Sequence, residues 1–514
     1  MSGKRVLAVY AALLLGFAVV LCRLYLLAQH PAYAARAAAQ STVTLQLPAR
    51  RGNFYDAQGR LLTGLEERWQ VVCFPGQGNY DRLYACTDAA GQALLYRSRS
   101  RAAPFLLEVS CDPARLGLTG YPAARRYAAV PLCQHLLGYL DGTGHGAAGL
   151  EKALDTVLSG TGENSSLVCA VTAQGTLRTG ETARLLQADS GALGVQLTIS
   201  RPVQRAVEAV AASTMTSGCI LVLDTATAAV RASVSVPCYD PENLADSLQA
   251  ENSPFLNRAL QSYAVGSVFK CTGAVVVDGQ IFRCAGGVPH GQVDLAAALE
   301  KSCNGYFIRL GQQLGAESLL DAAKAFGFGQ SLPLAEGFAA EAGQLPTPQE
   351  LAQSGQLANF SFGQGSLLAA PMQVAALFNT LAADGVYRAP YVLQATLDET
   401  TGQPVETLSH PRGRRVISAQ NAALLRAMLV QVVQQGTAQD AAGLSGGAGG
   451  KTGTAQTGQF TPEGTERCNL WFAGFWPAEK PRYTIVVLQD GAVHTAYSGA
   501  AIFAQVCTAL EAAG

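Results

Sequence analysis

The stretch that most constrains this chain is Tyr263-Ala264-Val265-Gly266-Ser267-Val268-Phe269-Lys270. A hydroxyl stands three residues before an amine, directly after a glycine and just ahead of the apolar run Cys271 to Val277. The pattern predicts a turn that opens a helix. Positions i and i+3 of a helix share a face, so Ser267 and Lys270 can touch. The first turn also carries unpaired N–H groups and the positive end of the helix dipole. An amine held there in apolar surroundings loses proton affinity and can act as a base toward the hydroxyl. The N–H groups can stabilise an oxyanion. By itself, Ser-x-x-Lys equally describes a helix N-cap followed by a solvated lysine.

Two further stretches narrow the choice. Ser302-Cys303-Asn304 follows a helical pattern over 293–301. Lys451-Thr452-Gly453-Thr454 follows a glycine-rich bend at Gly446, Gly447, Gly449 and Gly450. Ser-x-x-Lys, Ser-x-Asn and Lys-Thr-Gly, in that order, resemble the three-motif set of penicillin-binding proteins and serine β-lactamases.

Of the 514 residues, 49% are hydrophobic and 14% charged, ample material for large cores. A length of this order suggests roughly two to four domains. The net charge of -1, with no basic run interleaved with aromatics, excludes a nucleic-acid partner. Val6 to Cys22 carries no charge and follows Lys4 and Arg5. Leu24 to Ala28 continue its apolar character, with Arg23 able to snorkel. The run is at the lower limit for crossing a bilayer. The basic residues ahead of it place the N-terminus in the cytoplasm and the rest outside. A cleaved signal peptide is the rival, with Ala32-Tyr33-Ala34 or Ala37-Ala38-Ala39 as cleavage sites. These lie far beyond the apolar run, so an uncleaved anchor is preferred.

There are 13 cysteines, without a Cys-x-x-Cys pair or a cysteine and histidine cluster of metal-ligand spacing. No zinc site and no other metal is therefore expected. The scattered cysteines read as mostly buried free thiols, acting as small hydrophobes, rather than a disulfide framework.

The resemblance extends along most of the chain. Residues 51–62, Arg51-Gly52-Asn53-Phe54-Tyr55-Asp56-Ala57-Gln58-Gly59-Arg60-Leu61-Leu62, resemble the box that opens the pedestal of class B penicillin-binding proteins. That box is expected to brace the pedestal. Leu137-Gly138-Tyr139 and Gly149-Leu150-Glu151 are similar to a pair near the pedestal's end. Pro237-Cys238-Tyr239-Asp240-Pro241, Asn257-Arg258-Ala259 and Gly363-Gln364-Gly365 match further family stretches. Residues 65–130 carry no motif. Departures are Ser200, Val265 and Val268, where the family usually has Asp, Pro and Thr. The interval of 35 positions between Ser267 and Ser302 is short for the family, and Gly279 to Gly291 looks trimmed.

The resemblance implies an α+β fold: a serine β-lactamase/transpeptidase-like domain, its antiparallel sheet flanked by helices, on an N-terminal membrane anchor and a mostly β pedestal. The expected segments are 1–28 for the cytoplasmic tip and transmembrane helix, 29–185 for the pedestal, and 186–514 for the transpeptidase domain. It implies peptidoglycan D,D-transpeptidation through an acyl-enzyme on Ser267, inhibited by β-lactams. Lys270 is the implied base, Ser302 and Lys451 the proton relay, and Asn304 the holder of Lys270 and the substrate amide. Thr452, Gly453 and Thr454 would receive the substrate's terminal carboxylate, and the N–H groups of Ser267 and Thr454 would form the oxyanion hole. No cofactor is implied. The implied partners are stem peptides, β-lactams and a membrane glycan polymerase.

Other readings stand beside this one. A β-lactamase or β-lactam sensor shares the fold but needs no pedestal. A divisome or elongasome scaffold would not need all three motifs. A P-loop is excluded because Ser445 stands where its first glycine belongs, and no Gly-x-Ser-x-Gly elbow exists. The six histidines read as turn or surface residues; His290-Gly291 also resembles a pair in some relatives, which makes His290 a candidate for the cleft lining. Cys284 and Cys303 border the same cleft, either as a close pair able to form a disulfide or as separate buried fillers.

Overall fold

The computed structural model describes residues 3–33, 36, 41–48, 50–74, 80–100, 103–128, 130–172, 176, 178, 183–275, 282–284, 290–410 and 412–513. The possible cleavage sites around Ala34 and 37–39 lie outside these residues, as does most of the interval 279–291. The chain forms two compact units. One comprises Met1–Arg50, Gly64–Arg126 and Thr161–Gly191; the other comprises Arg51–Thr63, Tyr127–Gly160 and Ala192–Gly514.

In the first unit, Gly3–Ala28 is one helix of 26 residues, long and apolar enough to cross a membrane. Glu66–Cys73 is the central strand between Phe105–Val109 and Gly120–Arg125, all antiparallel. Val71, Cys73, Leu83, Leu95, Phe105, Leu107 and Val109 make its own small core. Cys86 and Cys111 are joined by a disulfide, with Cα atoms 5.5 Å apart. The other eleven cysteines are free and mostly buried, in keeping with the reading of mostly buried free thiols. The bridge falls in the stretch without motifs, where neither spacing nor pattern marks a pairing.

The second unit is built on a five-stranded antiparallel sheet. Its strands run Val230–Val236, Gly218–Asp224, Tyr483–Ala492, Glu466–Trp476 and Gly449–Phe460. Cys219 to Leu223 are completely buried, so both faces of the sheet are covered. Phe472 and Phe475 point to opposite faces, because their separation is odd. Phe472 packs edge-on against Phe503 of the C-terminal helix Gly499–Ala512. Thr484, the partner of Phe475, donates to Asn379 on the helix Pro371–Ala382 (3.0 Å). Every residue of that second helix is buried, as expected of a helix apolar on all sides.

The two units are not consecutive along the chain. The box at 51–63 and the residues 127–160 fold with the C-terminal unit. Arg51 explains why: its guanidinium donates to Glu151 Oε2 (2.8 Å), Asp155 Oδ1 (2.7 Å) and Ser159 Oγ (2.9 Å). Phe54, Leu62, Leu136, Leu150 and Leu158 join the main core. Asp56, fully buried, accepts from the N–H groups of Gln58 and Arg60 (2.9 Å each) and closes the turn. The same carboxylate accepts from the Arg201 N–H (3.1 Å), where Ser200 supplies no side-chain cap to the helix Arg201–Thr214. The capping carboxylate usual at position 200 thus comes from 56.

Candidate active site

Gly266–Phe269 forms a 3₁₀ turn that continues into the helix Lys270–Ala274, as the pattern of glycine, hydroxyl and apolar run predicts. Gly266 has φ +66 and donates its N–H to the Gly363 carbonyl (2.9 Å). A Cβ on Gly266 would stand 2.5 Å from the Thr454 carbonyl oxygen, and one on Gly363 would collide with the Gly266 carbonyl. Glycine is therefore required at both positions by conformation and by space. The turn is clamped between the Gly-Gln-Gly bend and the Lys-Thr-Gly strand. Val265 and Val268 are completely buried, and Val268 Cγ1 lies 3.1 Å from where a Cβ on Gly453 would stand. Packing replaces what the missing Pro and Thr would have contributed. Ser267 itself is half-buried.

Lys270 is fully buried. Its Nζ donates to the Ser302 carbonyl (2.7 Å) and to Asn304 Oδ1 (2.6 Å), and lies 3.2 Å from Ser302 Oγ. The Phe307 ring centroid is 5.5 Å away. Burial, reinforced by the charge of Lys451, lowers the Lys270 pKa to about 7. Ser302 adopts a left-handed φ of +51, an uncommon conformation for a side-chain-bearing residue. It turns the chain from the helix Leu295–Glu300 into the helix Asn304–Ala325. That sharp turn is what lets one residue offer both carbonyl and hydroxyl to the same amine.

Lys451 is also fully buried, on the strand Gly449–Phe460. Its Nζ donates to the Thr452 carbonyl (3.1 Å), and burial lowers its pKa to about 8. Thr452 and Thr454 share the opposite strand face. Two further residues join here that the motifs did not point to in this role. Thr437 Oγ1 is 2.6 Å from Thr452 Oγ1, and the Gln364 amide donates to the Thr454 carbonyl (3.4 Å). Gln364 belonged to a recognised stretch; Thr437 carried no signal.

The structure thus joins Lys270, Ser302 and Asn304 by direct hydrogen bonds. It sets Gly453 and Thr454 against the Ser267 turn. One expectation needs correction. His135 is not a turn or surface residue: it is buried, with Nε2 2.7 Å from the Pro254 carbonyl, and burial lowers its pKa to about 4. Cys284, His290 and Cys303 also form a group with metal-ligating potential, their ligand atoms all within 4.8 Å of one another. Their spacing of six and then thirteen positions is not a zinc-motif spacing, and the hairpin Phe282–Arg283/Gln292–Val293 brings them together.

Comparison with known proteins places this arrangement in a class. The penicillin-binding protein transpeptidase domain matches residues 279–508. Penicillin-binding protein 3 of Mycobacterium tuberculosis, solved with ampicillin, superposes with a TM-score of 0.65 at 24% identity, covering 91% of this chain and 96% of that one. A chain of a peptidoglycan synthase complex superposes with a TM-score of 0.68 at 24% identity, covering 100% and 98%. Both share the fold. The peptidoglycan D,D-transpeptidase PbpA of Mycolicibacterium smegmatis is 30% identical over 482 residues, 84% of this chain and 89% of PbpA. The chain belongs to the class B penicillin-binding proteins, the serine-type D-Ala-D-Ala transpeptidases.

Proposed function

We propose that this chain cross-links peptidoglycan stem peptides through an acyl-enzyme on Ser267, and that β-lactams stop it by acylating the same oxygen. One observation carries the reading. A buried amine with its pKa near neutrality sits three residues from a half-buried hydroxyl, held by Ser302 and Asn304. At pH 7 about half of such an amine is neutral and has a lone pair for the serine proton.

Ser267 Oγ attacks the carbonyl between the two terminal D-alanines and gives its proton to Lys270 Nζ. The N–H groups of Ser267 and Thr454 hold the oxyanion; one such donor is typically worth about 3 kcal/mol. Collapse breaks the peptide bond. The proton passes from Lys270, through Ser302 Oγ, to the departing amine of D-alanine. An amine from a second stem peptide then attacks the ester and restores Ser267. Lys451, in its charged form, attracts the terminal carboxylate beside Thr452 and Thr454, and Gly453 lets the strand approach it.

The helix Gly3–Ala28 anchors the chain, with residues 29–514 outside the cytoplasm. The unit that holds Ser267 is catalytic and the other is the pedestal. Glycan polymerisation falls to a membrane partner; the likeness to a chain of a peptidoglycan synthase complex supports this. The test is full-length protein in detergent, incubated with a fluorescent penicillin and mapped by mass. The label should sit on Ser267, persist for many minutes and vanish in Ser267→Ala. A label on another residue overturns the assignment. Rapid release with hydrolysed penicillin indicates a β-lactamase, and no label at all a scaffold.

A further inference from the structure

We infer that the pocket between Arg60 and the first turns of the helix Arg201–Thr214 binds a phosphate monoester that carries an apolar group. The pocket measures about 610 Å³, within the usual range of small-molecule sites, and is lined by Arg60, Arg201, Pro202, Arg205, Ala206 and Ala209. Both walls belong to the second unit. Helical spacing divides the lining in two. Arg201 and Arg205 are four positions apart and share one row, while Pro202, Ala206 and Ala209 form an adjoining apolar row. Arg60 closes the pocket from the turn at 56–60.

One buried carboxylate builds the rim. Asp56, whose side chain has no exposed surface, pairs with the Arg60 guanidinium (2.7 Å) and accepts from the Arg201 N–H (3.1 Å). This fixes Arg60 beside the helix start and balances its charge. Arg201 and Arg205 have no such partner: among the described residues neither makes an ion pair. Glu208 feels the charge of Arg205, but its Oε1 accepts from the Cys133 N–H and the Gln204 amide (2.8 Å each). Two like charges one turn apart repel, and both stand at the end of the helix where its dipole is positive. Ser200 deepens the imbalance, since it stands where the family usually has Asp and adds no side-chain cap.

The ligand follows from the two rows. A phosphate monoester carries a charge of about −1.5 to −2 at neutral pH and presents several acceptor oxygens. It balances Arg201 and Arg205 together and suits the planar forks of their guanidiniums. A carboxylate, with a single charge, would leave one of the two unbalanced. The side chains of Pro202, Ala206 and Ala209 offer no hydrogen bond, so that row takes the apolar group of the ester. A phosphate held there would bridge the box turn to the helix and remove the repulsion between the two arginines.

Full-length protein in a non-ionic detergent at low ionic strength is titrated calorimetrically with inorganic phosphate, phenyl phosphate and dihexanoyl phosphatidic acid. Both esters should bind, each at least about 10-fold tighter than inorganic phosphate, because the apolar row buries their apolar group. The tighter of the two tells a soluble source from a lipid one. Arg201→Gln and Arg205→Gln should each weaken phenyl phosphate binding about 10- to 100-fold, the range for losing a hydrogen bond to a charged group. Ser200→Asp, which returns a negative charge to the helix start, should weaken it as well. Arg412→Gln, at an exposed arginine outside the pocket, should bind as the wild type does. The melting temperature of the wild type should rise with phenyl phosphate and not with phenol, a readout that stands even where a variant fails to fold. No binding of either ester by the wild type, affinity unmoved in both arginine variants, or inorganic phosphate bound as tightly as the esters overturns the site. None of these readouts depends on acylation of Ser267.

Discussion

The N-terminal unit gathers Val71, Leu83, Leu95, Phe105, Leu107 and Val109 into a small core and adds the Cys86–Cys111 bridge. The second unit runs one continuous core from Phe54 to Leu510 and keeps Cys133, Cys219, Cys271 and Cys507 as buried thiols. Burial raises the pKa of each of the four, so they pack as inert apolar groups. Small cores leave less hydrophobic stabilisation to spare, and a cross-link compensates by restricting the unfolded chain. The large core does the opposite: it is stable enough to bury two amines, Lys270 and Lys451, at depressed pKa. Cross-links belong to the first unit and perturbed lysines to the second. Each prediction below tests that division.

The largest effect is expected from Lys270→Ala. Loss of the base should slow penicillin acylation about 1,000-fold, within the range for general-base catalysis. The pH profile of the wild type carries the sign. Below about 7, Lys270 is protonated and has no lone pair; above about 8, Lys451 loses the charge that attracts the carboxylate. The acylation rate should rise through the first value and fall through the second. A profile that is flat between pH 6 and 9 would falsify the assignment of both lysines.

Next in size is the bridge. Cys86→Ser with Cys111→Ser opens a loop of 25 positions, worth about 3.5 kcal/mol in the chain-entropy model. Limited proteolysis should then cut within 64–126, while the initial acylation rate stays at the wild-type value. A matching loss of acylation would show that the second unit's chemistry depends on the first unit's stability.

Gly363→Ala probes the clamp inside the second unit. Its φ of +88 and its contact with the Gly266 carbonyl leave no room for a methyl group. A displacement of the Ser267 turn near 1 Å costs about 100-fold in rate. Acylation should fall by that order.

How much of this was legible in the chain depends on how local each signal is. Ser267, Lys270, Ser302, Asn304 and Lys451 sit in short stretches whose spacing alone carries chemistry, and their convergence followed from the resemblance. The helix that opens after Ser267 and the helical pattern over 293–301 were legible in the chain and appear as Lys270–Ala274 and Leu295–Glu300. The interleaving of the two units was not, because Arg51 finds Glu151 a hundred positions away. Nor was the Cys86–Cys111 bridge, since pairing depends on strands whose order no local pattern reveals. The Cys284, His290 and Cys303 group escaped for a related reason: a hairpin, not a motif, sets its geometry. The helix cap at Arg201 was visible only as a missing Asp at 200. Its replacement by Asp56 is a tertiary fact.

The smallest expected effect concerns Thr437, which no motif contains. Its hydroxyl lies 2.6 Å from Thr452 Oγ1, on the strand face that would meet the substrate carboxylate. Thr437→Val keeps the shape and removes the partner. A hydrogen bond of this kind is worth about 1 kcal/mol net, or roughly fivefold. The loss should fall on the affinity of the non-covalent penicillin complex rather than on the acylation step, because Lys270 and its three acceptor atoms are untouched. Thr437→Ser should recover most of it. The pH profile should keep both limbs, since neither lysine hydrogen-bonds Thr437 through the 2.6 Å contact, which runs between the two hydroxyls alone. If the upper limb moves instead, Thr437 acts through Lys451, whose Nζ is 3.4 Å from the same Thr452 hydroxyl. The amine would then be tuned by a hydrogen-bond chain as well as by burial, and the contrast between a unit held by a cross-link and one held by packing would need a polar term.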